Sequence, residues 1–600
     1  MPFFQASWFL HLLRWEAPVE KVLLWIRTLG TMASVGLMVL YFGYPLTLDG
    51  QFEIINYQNS LLGIFGLRFL IRGLYARYEL KYFLNNPLET LLLGLWALEG
   101  LSVWLDQPWF ATRVTSYSQL LPYAWFVHTL AIGLAGQELI RLSNSVVTIQ
   151  LKPAATLIVS FLFLIAVGTG LLMLPQMSVG RYGLDFEDAL FTSVSATCVT
   201  GLSTIDVGQV LTLKGQWVLL GLIQLGGIGI LTFATFFALF LKKGVGISHQ
   251  AMIKDFMSEE SLFDAKKLLG QIIFYSLFFE LGGALMIYMA WPVEAPFAEH
   301  STRRAFHSFF HSVSAFNNAG FSLYTNGLAE PFLYHAPVLR IVISLLIVFG
   351  GLGFPVLRDL MGYQQLASRI RSPWKKWKLS TRISVWTAAA LLLFGAVLFG
   401  ALENQPGGTL ADQEPGRVMV DSLFASASAR TAGFNTLDVM AFGVPSCLLM
   451  IFLMFIGGGS GSTAGGIKTS TFTLLVLAVW STIRNKRQLE LGGRSIPFDL
   501  LNKAYTIFFF AATYVFGCVF LLAILEPQIP ILDLVFEEVS AFGTVGLSRG
   551  PTMAMGSAGR AILMLSMFVG RVGTLTLAFA LASRSENQNY SFPKAHVLIG

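Results

Sequence analysis

Four short strings recur in phase along this chain: SATCVTGL (195–202), SAFNNAGF (314–321), ASARTAGF (427–434) and SAFGTVGL (540–547). Their shared glycines, Gly201, Gly320, Gly433 and Gly546, stand 119, 113 and 113 residues apart. About 24 to 30 residues beyond each comes a second recurring string: QLGGIG (224–229), FGGLG (349–353), IGGGSG (456–461) and VGRVG (569–573). Eight copies in one phase mean that one structural unit is present four times. Any fold for this chain must place four look-alike units side by side.

The solvent for that fold follows from composition. With 54% apolar and only 12% charged residues, and a mean hydropathy of +0.65, the chain lies far from the roughly 25% charge of soluble domains. Soluble, disordered, fibrous and nucleic-acid-binding classes are excluded. Three cysteines, Cys198, Cys447 and Cys518, give neither a disulfide framework nor a zinc spacing. Taking about 20 apolar residues per crossing, the sequence predicts twelve spans. They lie near 22–46, 58–76, 88–105, 119–140, 154–174, 216–241, 268–291, 338–357, 384–402, 446–482, 504–525 and 560–582. The stretch 446–482 is too long and too glycine-rich to be one helix. Met1 to Leu13 lacks a basic start and a cleavage site, and reads as an interfacial amphipathic segment.

The gaps between the last eight spans sort by charge. The gaps 242–267, 358–382 and 484–503 hold 17 basic and 7 acidic residues, whereas 175–217, 291–340, 402–446 and 526–560 hold 9 basic and 16 acidic. Positive loops stay inside, so the first set is expected in the cytoplasm and both termini with it. The external gaps are long and carry the repeated strings. The expected class is an all-α polytopic membrane protein, with four helix–pore-loop–helix repeats around a central pore and about four extra transmembrane helices at the N-terminus. The expected divisions are 1–150, a module whose role the sequence does not give, then repeats at 151–262, 263–380, 381–500 and 501–600.

Non-helical backbone at membrane depth survives only where protein or a water-filled cavity covers it. Four such loops around an axis present carbonyl oxygens to a dehydrated ion. Each follows a short predicted helix, such as 187–196 or 533–541, whose negative dipole end favours a cation. The glycine supplies the backbone freedom that turns successive carbonyls inward. A cation pathway is the reading of the pattern alone.

The run DFEDALFTSVSATCVTGLSTID (185–206), the loop MFIGGGSGSTAGGIKTST (454–471) and VGRVGTLTL (569–577) resemble the TrkH/KtrB family of bacterial potassium uptake proteins. GTGLLMLP (168–175) and FPKAHVLIG (592–600) are similar to further family signatures, and the likeness spans about residues 150–600. The resemblance implies potassium as the transported substrate, with no cofactor in this chain. It also implies a homodimer in the bacterial plasma membrane and a separate cytosolic nucleotide-binding ring that gates the pore. The filter would be lined by the carbonyls of Cys198, Val199, Thr200 and Gly201; of Asn317, Asn318, Ala319 and Gly320; of Arg430, Thr431, Ala432 and Gly433; and of Gly543, Thr544, Val545 and Gly546. In related plant transporters a serine in place of the first glycine accompanies sodium transport, so four glycines favour potassium. Only Gly543–Gly546 resembles the filter of a dedicated potassium channel, which leaves a sodium-permeable or sodium-coupled transporter as the alternative.

Two features would form the gate. Residues Gly457, Gly458, Gly459, Ser460, Gly461, Ser462, Thr463, Ala464, Gly465 and Gly466 hold six glycines and three hydroxyls inside an apparent span. At about 1 kcal/mol of lost helix propensity per glycine, a broken helix is expected; the family has an intramembrane loop here, closed by Lys468. Arg571 replaces a glycine of repeats one and two within an apolar span. That placement is costly and directs it to a cavity beneath the filter, where it repels cations, or to a salt bridge. His307 and His311 have helical spacing but no third metal ligand, so packing is the better reading. Arg68, Arg72 and Arg77 lack the regular spacing of a voltage sensor and read as inside anchors, with Glu89 and Glu99 as possible partners. A membrane enzyme would need converging carboxylates or histidines, and no such spacing recurs.

Overall fold

The structure, a computed structural model, describes residues 6–75, 83–105, 117–146, 153–180, 182–241, 265–292, 299–334, 336–372, 374, 376–486, 489–491 and 493–573. Arg77, most of the 242–267 gap, the 592–600 signature and both chain ends lie outside them. The described chain is helical apart from one hairpin, Leu489–Leu491 with Arg494–Ile496.

Two compact units form. One comprises Met1–Leu151, Gly170–Leu184 and Thr212–Gly215, and the other the remainder. In the first, Ala6–Gly43, Leu48–Tyr75, Pro87–Trp104 and Tyr117–Val146 are helices that pack around Ile55, Leu62, Phe65, Leu93, Val127 and Leu130. Several of its buried polar groups are paired, as apolar surroundings favour. Arg68 meets Glu89 in a buried ion pair, Gln58 donates to Ser34 Oγ at 2.5 Å, and Asn59 donates to Tyr123 Oη at 2.8 Å. The expected pairing of these arginines and glutamates is therefore present for Arg68 and Glu89. The helix Ala6–Gly43 runs through the segment expected to be a separate interfacial stretch.

In the second unit the repeat is a leading helix, a short re-entrant helix, and a closing helix. The leading helices are Pro153–Leu172, Ala265–Met289, Leu379–Glu403 and Phe498–Leu525; the short ones are Phe186–Thr197, Ser301–Phe316, Pro415–Ser428 and Ile531–Gly543. The closing element is Leu213–Leu241 in repeat one and Ser557–Val572 in repeat four. Glycine breaks it in the middle two repeats. Gly353, at φ 95°, separates Pro337–Leu352 from Phe354–Met361 with a 103° bend. In repeat three Val444–Phe455 and Thr469–Ile483 flank the glycine-rich segment, so 446–482 is indeed two helices and a loop. Among the described residues, five helices are long and apolar enough to cross a membrane, or six with the bent pair. Over their described residues, the other expected spans also fall on helices, the last one as far as Val572.

Each junction between neighbouring repeats carries a different polar tie. Repeats one and two share a network in which Gln224 and Asn317 donate to Glu280 at 2.9 and 3.0 Å. Repeats two and three are joined by Arg340 and Asp421, 2.7 Å apart and both buried. Arg549, beyond the fourth repeated string, pairs with Asp533 at 2.6 Å and reaches the Val439 and Phe442 carbonyls of repeat three. Burial works against the Arg549 charge, but the hydrogen bond it donates to Asp533, together with the neighbouring Cys447 sulfur and the Asp533 charge, outweighs it and holds the guanidinium above its usual pKa. Arg560 closes the circle on Glu187 and Asp188 of repeat one, at 3.3 and 3.4 Å.

Candidate functional site

The four repeated strings meet at one place. The backbone there is set by matched pairs of left-handed residues, one pair per repeat. Val199 and Gly201 have φ 56° and 96°, Asn318 and Gly320 58° and 70°, Thr431 and Gly433 83° and 75°, Thr544 and Gly546 50° and 93°. Four unrelated triplets share one strained conformation, which costs about 1–2 kcal/mol for each non-glycine residue. Strain of this kind clusters at functional sites.

Serines at the ends of the short helices pin the segments. The Gly201 and Gly546 N–H groups each donate to Ser195 Oγ and Ser540 Oγ at 3.1 Å. Ser314 donates to the Phe321 carbonyl at 2.9 Å, and Ser428 to that of Phe434.

The glycines form a closed ring. A β-carbon on Gly201 would lie 2.5 Å from the Ala319 carbonyl oxygen, and one on Gly320 2.7 Å from that of Ala432. On Gly433 it would lie 2.2 Å from the Val545 oxygen, and on Gly546 2.1 Å from the Thr200 oxygen. Each repeat thus touches the next in cyclic order, and only glycine fits. The residues preceding the glycines are buried, whereas the glycines themselves are half-buried. Among the described residues, the hydroxyls of Thr200, Thr431 and Thr544 are buried and have no hydrogen-bond partner. Buried polar oxygens usually find one.

Not every side chain of the predicted filter points alike. The Arg430 guanidinium turns away to the Ala388 carbonyl, 3.0 Å, and the Asn317 amide donates to Gln224 and Glu280. The residues at these positions differ in every repeat because their side chains serve the surrounding helices.

The glycine-rich loop lies against the short-helix side of this ring. A β-carbon on Gly465 would come 2.2 Å from Thr544 Oγ1, and one on Gly457 3.3 Å from Thr431 Cγ2. Thr463 donates to the Phe316 carbonyl at 3.3 Å and its hydroxyl stands 3.4 Å from the Asn318 carboxamide. Backbone bonds hold the loop: Gly459 N–H to the Gly351 carbonyl at 2.7 Å, and Phe354 N–H to that of Gly461 at 3.1 Å. Lys468 Nζ caps the Ala464 carbonyl at 2.6 Å. Arg571 is buried and donates to the carbonyls of Thr463, Gly226 and Gly227. Among the described residues it has no carboxylate partner; its Nη1 and Nη2 donate instead to backbone carbonyls of the loop and of repeat one. Sequence reasoning missed this latch, since nothing in VGRVG shows which carbonyls the side chain reaches.

His311 lies against Tyr324, ring centroids 5.1 Å apart, and its Nδ1 is 2.8 Å from the His307 carbonyl oxygen. No group of metal-ligating side chains occurs among the described residues. The three cysteines are buried and free.

A helical membrane protein with four re-entrant repeats closing on one glycine ring is the class that this fold and site define. The model of the TrkH family, described as cation transport protein, matches residues 126–591, and the chain belongs to that family. It is similar to Ktr system potassium uptake protein B of Vibrio alginolyticus, 35% identical over 74% of this chain and 94% of the relative. It is also similar to potassium/sodium uptake protein NtpJ of Enterococcus hirae, 33% identical over 75% of this chain and 98% of that one. In fold it matches the potassium transporter TrkH from Vibrio parahaemolyticus, with a TM-score of 0.56 at 18% identity, covering 88% of this chain and 98% of that one. These relatives are ion transporters, not enzymes.

Proposed function

We propose that this chain takes up potassium across the bacterial plasma membrane. Its ion path is the axis of the glycine ring, lined by the carbonyls of residues 198–201, 317–320, 430–433 and 543–546. The observation that carries the reading is the cyclic contact of Gly201, Gly320, Gly433 and Gly546. Four left-handed turns presented to one axis replace the hydration shell of a cation. An inside-negative potential contributes about 2.3 kcal/mol per 100 mV for each entering cation. The loop 457–466, with Lys468 and Arg571, forms the gate: the loop obstructs the path and Arg571 latches it while placing a positive charge beneath the ring. Both termini face the cytoplasm. The protein acts as a homodimer with a separate cytosolic nucleotide-binding ring, and needs no cofactor in this chain.

A second reading is favoured by the unequal filter strings. Only repeat four reads GTVG, and a relative is named for both potassium and sodium. Fewer matched carbonyl rings discriminate less, so sodium passes too. Liposome flux under opposed potassium and sodium gradients separates the two; a current carried mainly by sodium refutes the potassium reading. Rescue of a potassium-uptake-deficient bacterium at low external potassium tests uptake itself.

A further inference from the structure

Behind the ring, three repeats are built alike and the fourth is not. In repeats one to three, a serine two residues before the pinning serine donates to a carbonyl of its leading helix. These bonds are Ser193 to Ile165 at 2.8 Å, Ser312 to Glu280 at 2.6 Å, and Ser426 to Leu392 at 2.8 Å. Three residues beyond each accepting carbonyl is a glycine, Gly168, Gly283 or Gly395. A β-carbon there would meet the serine oxygen at 2.4–2.5 Å and a methyl of Leu222, Leu346 or Leu453 at 2.6–2.7 Å. Leading, short and closing helix thus meet through one glycine, one serine and one leucine. Among the described residues, no hydrogen bond joins the short and closing helices at this point.

Repeat four departs at both side-chain positions. The serine site holds Glu538, and the leucine site, four residues before the recurring glycine, holds Ser566. Ser566 Oγ donates to Glu538 Oε1 at 2.7 Å. Tyr514 Oη and Cys518 Sγ of the leading helix stand 3.3 and 3.7 Å from the same hydroxyl. Glu538 and Ser566 are both fully buried. Among the described residues no Lys, Arg or His makes an ion pair with Glu538.

The consequence depends on where the two residues sit. Glu538 stands eight residues before Gly546 on the short helix that delivers the fourth filter segment. Ser566 stands five residues before Arg571 on the helix that carries the latch. The geometry points to Glu538 as a positioning residue: its bond to Ser566 ties the fourth filter segment to the Arg571 helix, so filter geometry and gate position change together. Among the described residues, no hydrogen bond joins the equivalent serine and leucine positions in the other three repeats. The inference rests on the filter and gate reading above.

Flux of potassium and sodium in liposomes tests it, on the full chain, for Glu538→Gln, Ser566→Ala and the pair Glu538→Ser with Ser566→Leu. Each is made with and without Arg571→Ala. The pair, made together with Cys518→Gly because Cys518 stands where the other repeats have the glycine, rebuilds the side chains of the other repeats and fills the site without the tie. Glu538→Gln keeps an acceptor for Ser566 and is expected to preserve the potassium-to-sodium ratio. Ser566→Ala and the rebuilt pair are expected to lower that ratio about tenfold, the loss of one buried hydrogen bond to a strong acceptor. Adding Arg571→Ala to either should change the ratio by less than it does alone, because the link is already cut. A rebuilt pair with the wild-type ratio would reduce the cluster to packing and overturn the proposal. So would Glu538→Gln behaving like the pair, which would make ionisation the property that matters. Absence of potassium flux in the unsubstituted protein would instead refute the underlying transport reading. Thermal unfolding of each purified variant identifies one that has lost its fold, and Ser566→Ala, the smallest change, then decides.

Discussion

Replacing Gly433 by alanine tests the ring most directly, because two separable penalties fall on one methyl group. The backbone sits at φ 75°, which disfavours any side chain by about 1–2 kcal/mol. The new carbon would also lie 2.2 Å from the Val545 carbonyl oxygen, where ordinary contact begins at 3.4 Å. That oxygen, part of the fourth filter segment, must therefore retreat by about 1.2 Å. Two controls divide the effect. Gly407 has φ 87° but nothing within 4 Å of its would-be β-carbon, so Gly407→Ala carries the strain without the clash. Gly221 lies inside a helix with equal space around it, so Gly221→Ala should be neutral or stabilise by about 0.5–1 kcal/mol. Thermal unfolding and potassium-against-sodium flux in liposomes are measured for all three. Gly407→Ala should lose about 1 kcal/mol and transport normally. Gly433→Ala should lose at least tenfold in the potassium-to-sodium ratio, about 1.4 kcal/mol of differential binding. Wild-type discrimination in Gly433→Ala would refute the claim that the ring sets ion choice.

Three further outcomes are expected. Arg571→Ala frees the Thr463 and Gly226 carbonyls and should raise ungated potassium flux several-fold; unchanged flux removes the residue from the gate. Asp421→Ala leaves Arg340 buried and unpaired and should cost about 3–5 kcal/mol of stability, while Arg340→Met with Asp421→Leu should cost far less; chemical denaturation in detergent compares them. Glu537→Ala removes the acceptor for the Arg549 N–H at 3.0 Å and for Thr552 at 2.7 Å. It should lower stability by about 1–3 kcal/mol, and a thermal shift below 1 °C would contradict that role.

How much of this was legible in the sequence depends on the range of the interaction. The repeat phase, the class and the break in 446–482 follow from local composition, and the helices fall where the apolar runs are. The short helices extend slightly past the expected 187–196 and 533–541, to Phe186–Thr197 and Ile531–Gly543. Glycine at 201, 320, 433 and 546 signalled backbone freedom, but Val199, Asn318, Thr431 and Thr544 gave no sign of sharing it. Their left-handed conformation belongs to the turn that closes each short helix, in which the following N–H donates back to the pinning serine's carbonyl. The partners of Arg571 were equally hidden, because backbone carbonyls leave no trace in residue identity. Glu538 was counted only as an external acidic residue; its distinction appears when the four short helices are compared in register.

The four unlike ties between repeats bear on how such a chain finds its arrangement. Units that share helices, glycines and serines are interchangeable as far as apolar packing goes, so a newly made chain risks docking the wrong pair. A misplaced neighbour would leave Arg340 buried without Asp421, or Glu280 without Gln224, each a penalty of several kcal/mol. Arg560 pairs with Glu187 and Asp188 of repeat one, and Arg549, held by Asp533 of its own repeat, reaches the Val439 and Phe442 carbonyls of repeat three. The order of assembly around the axis is thus encoded in the differences between the repeats, while their likeness builds the ring.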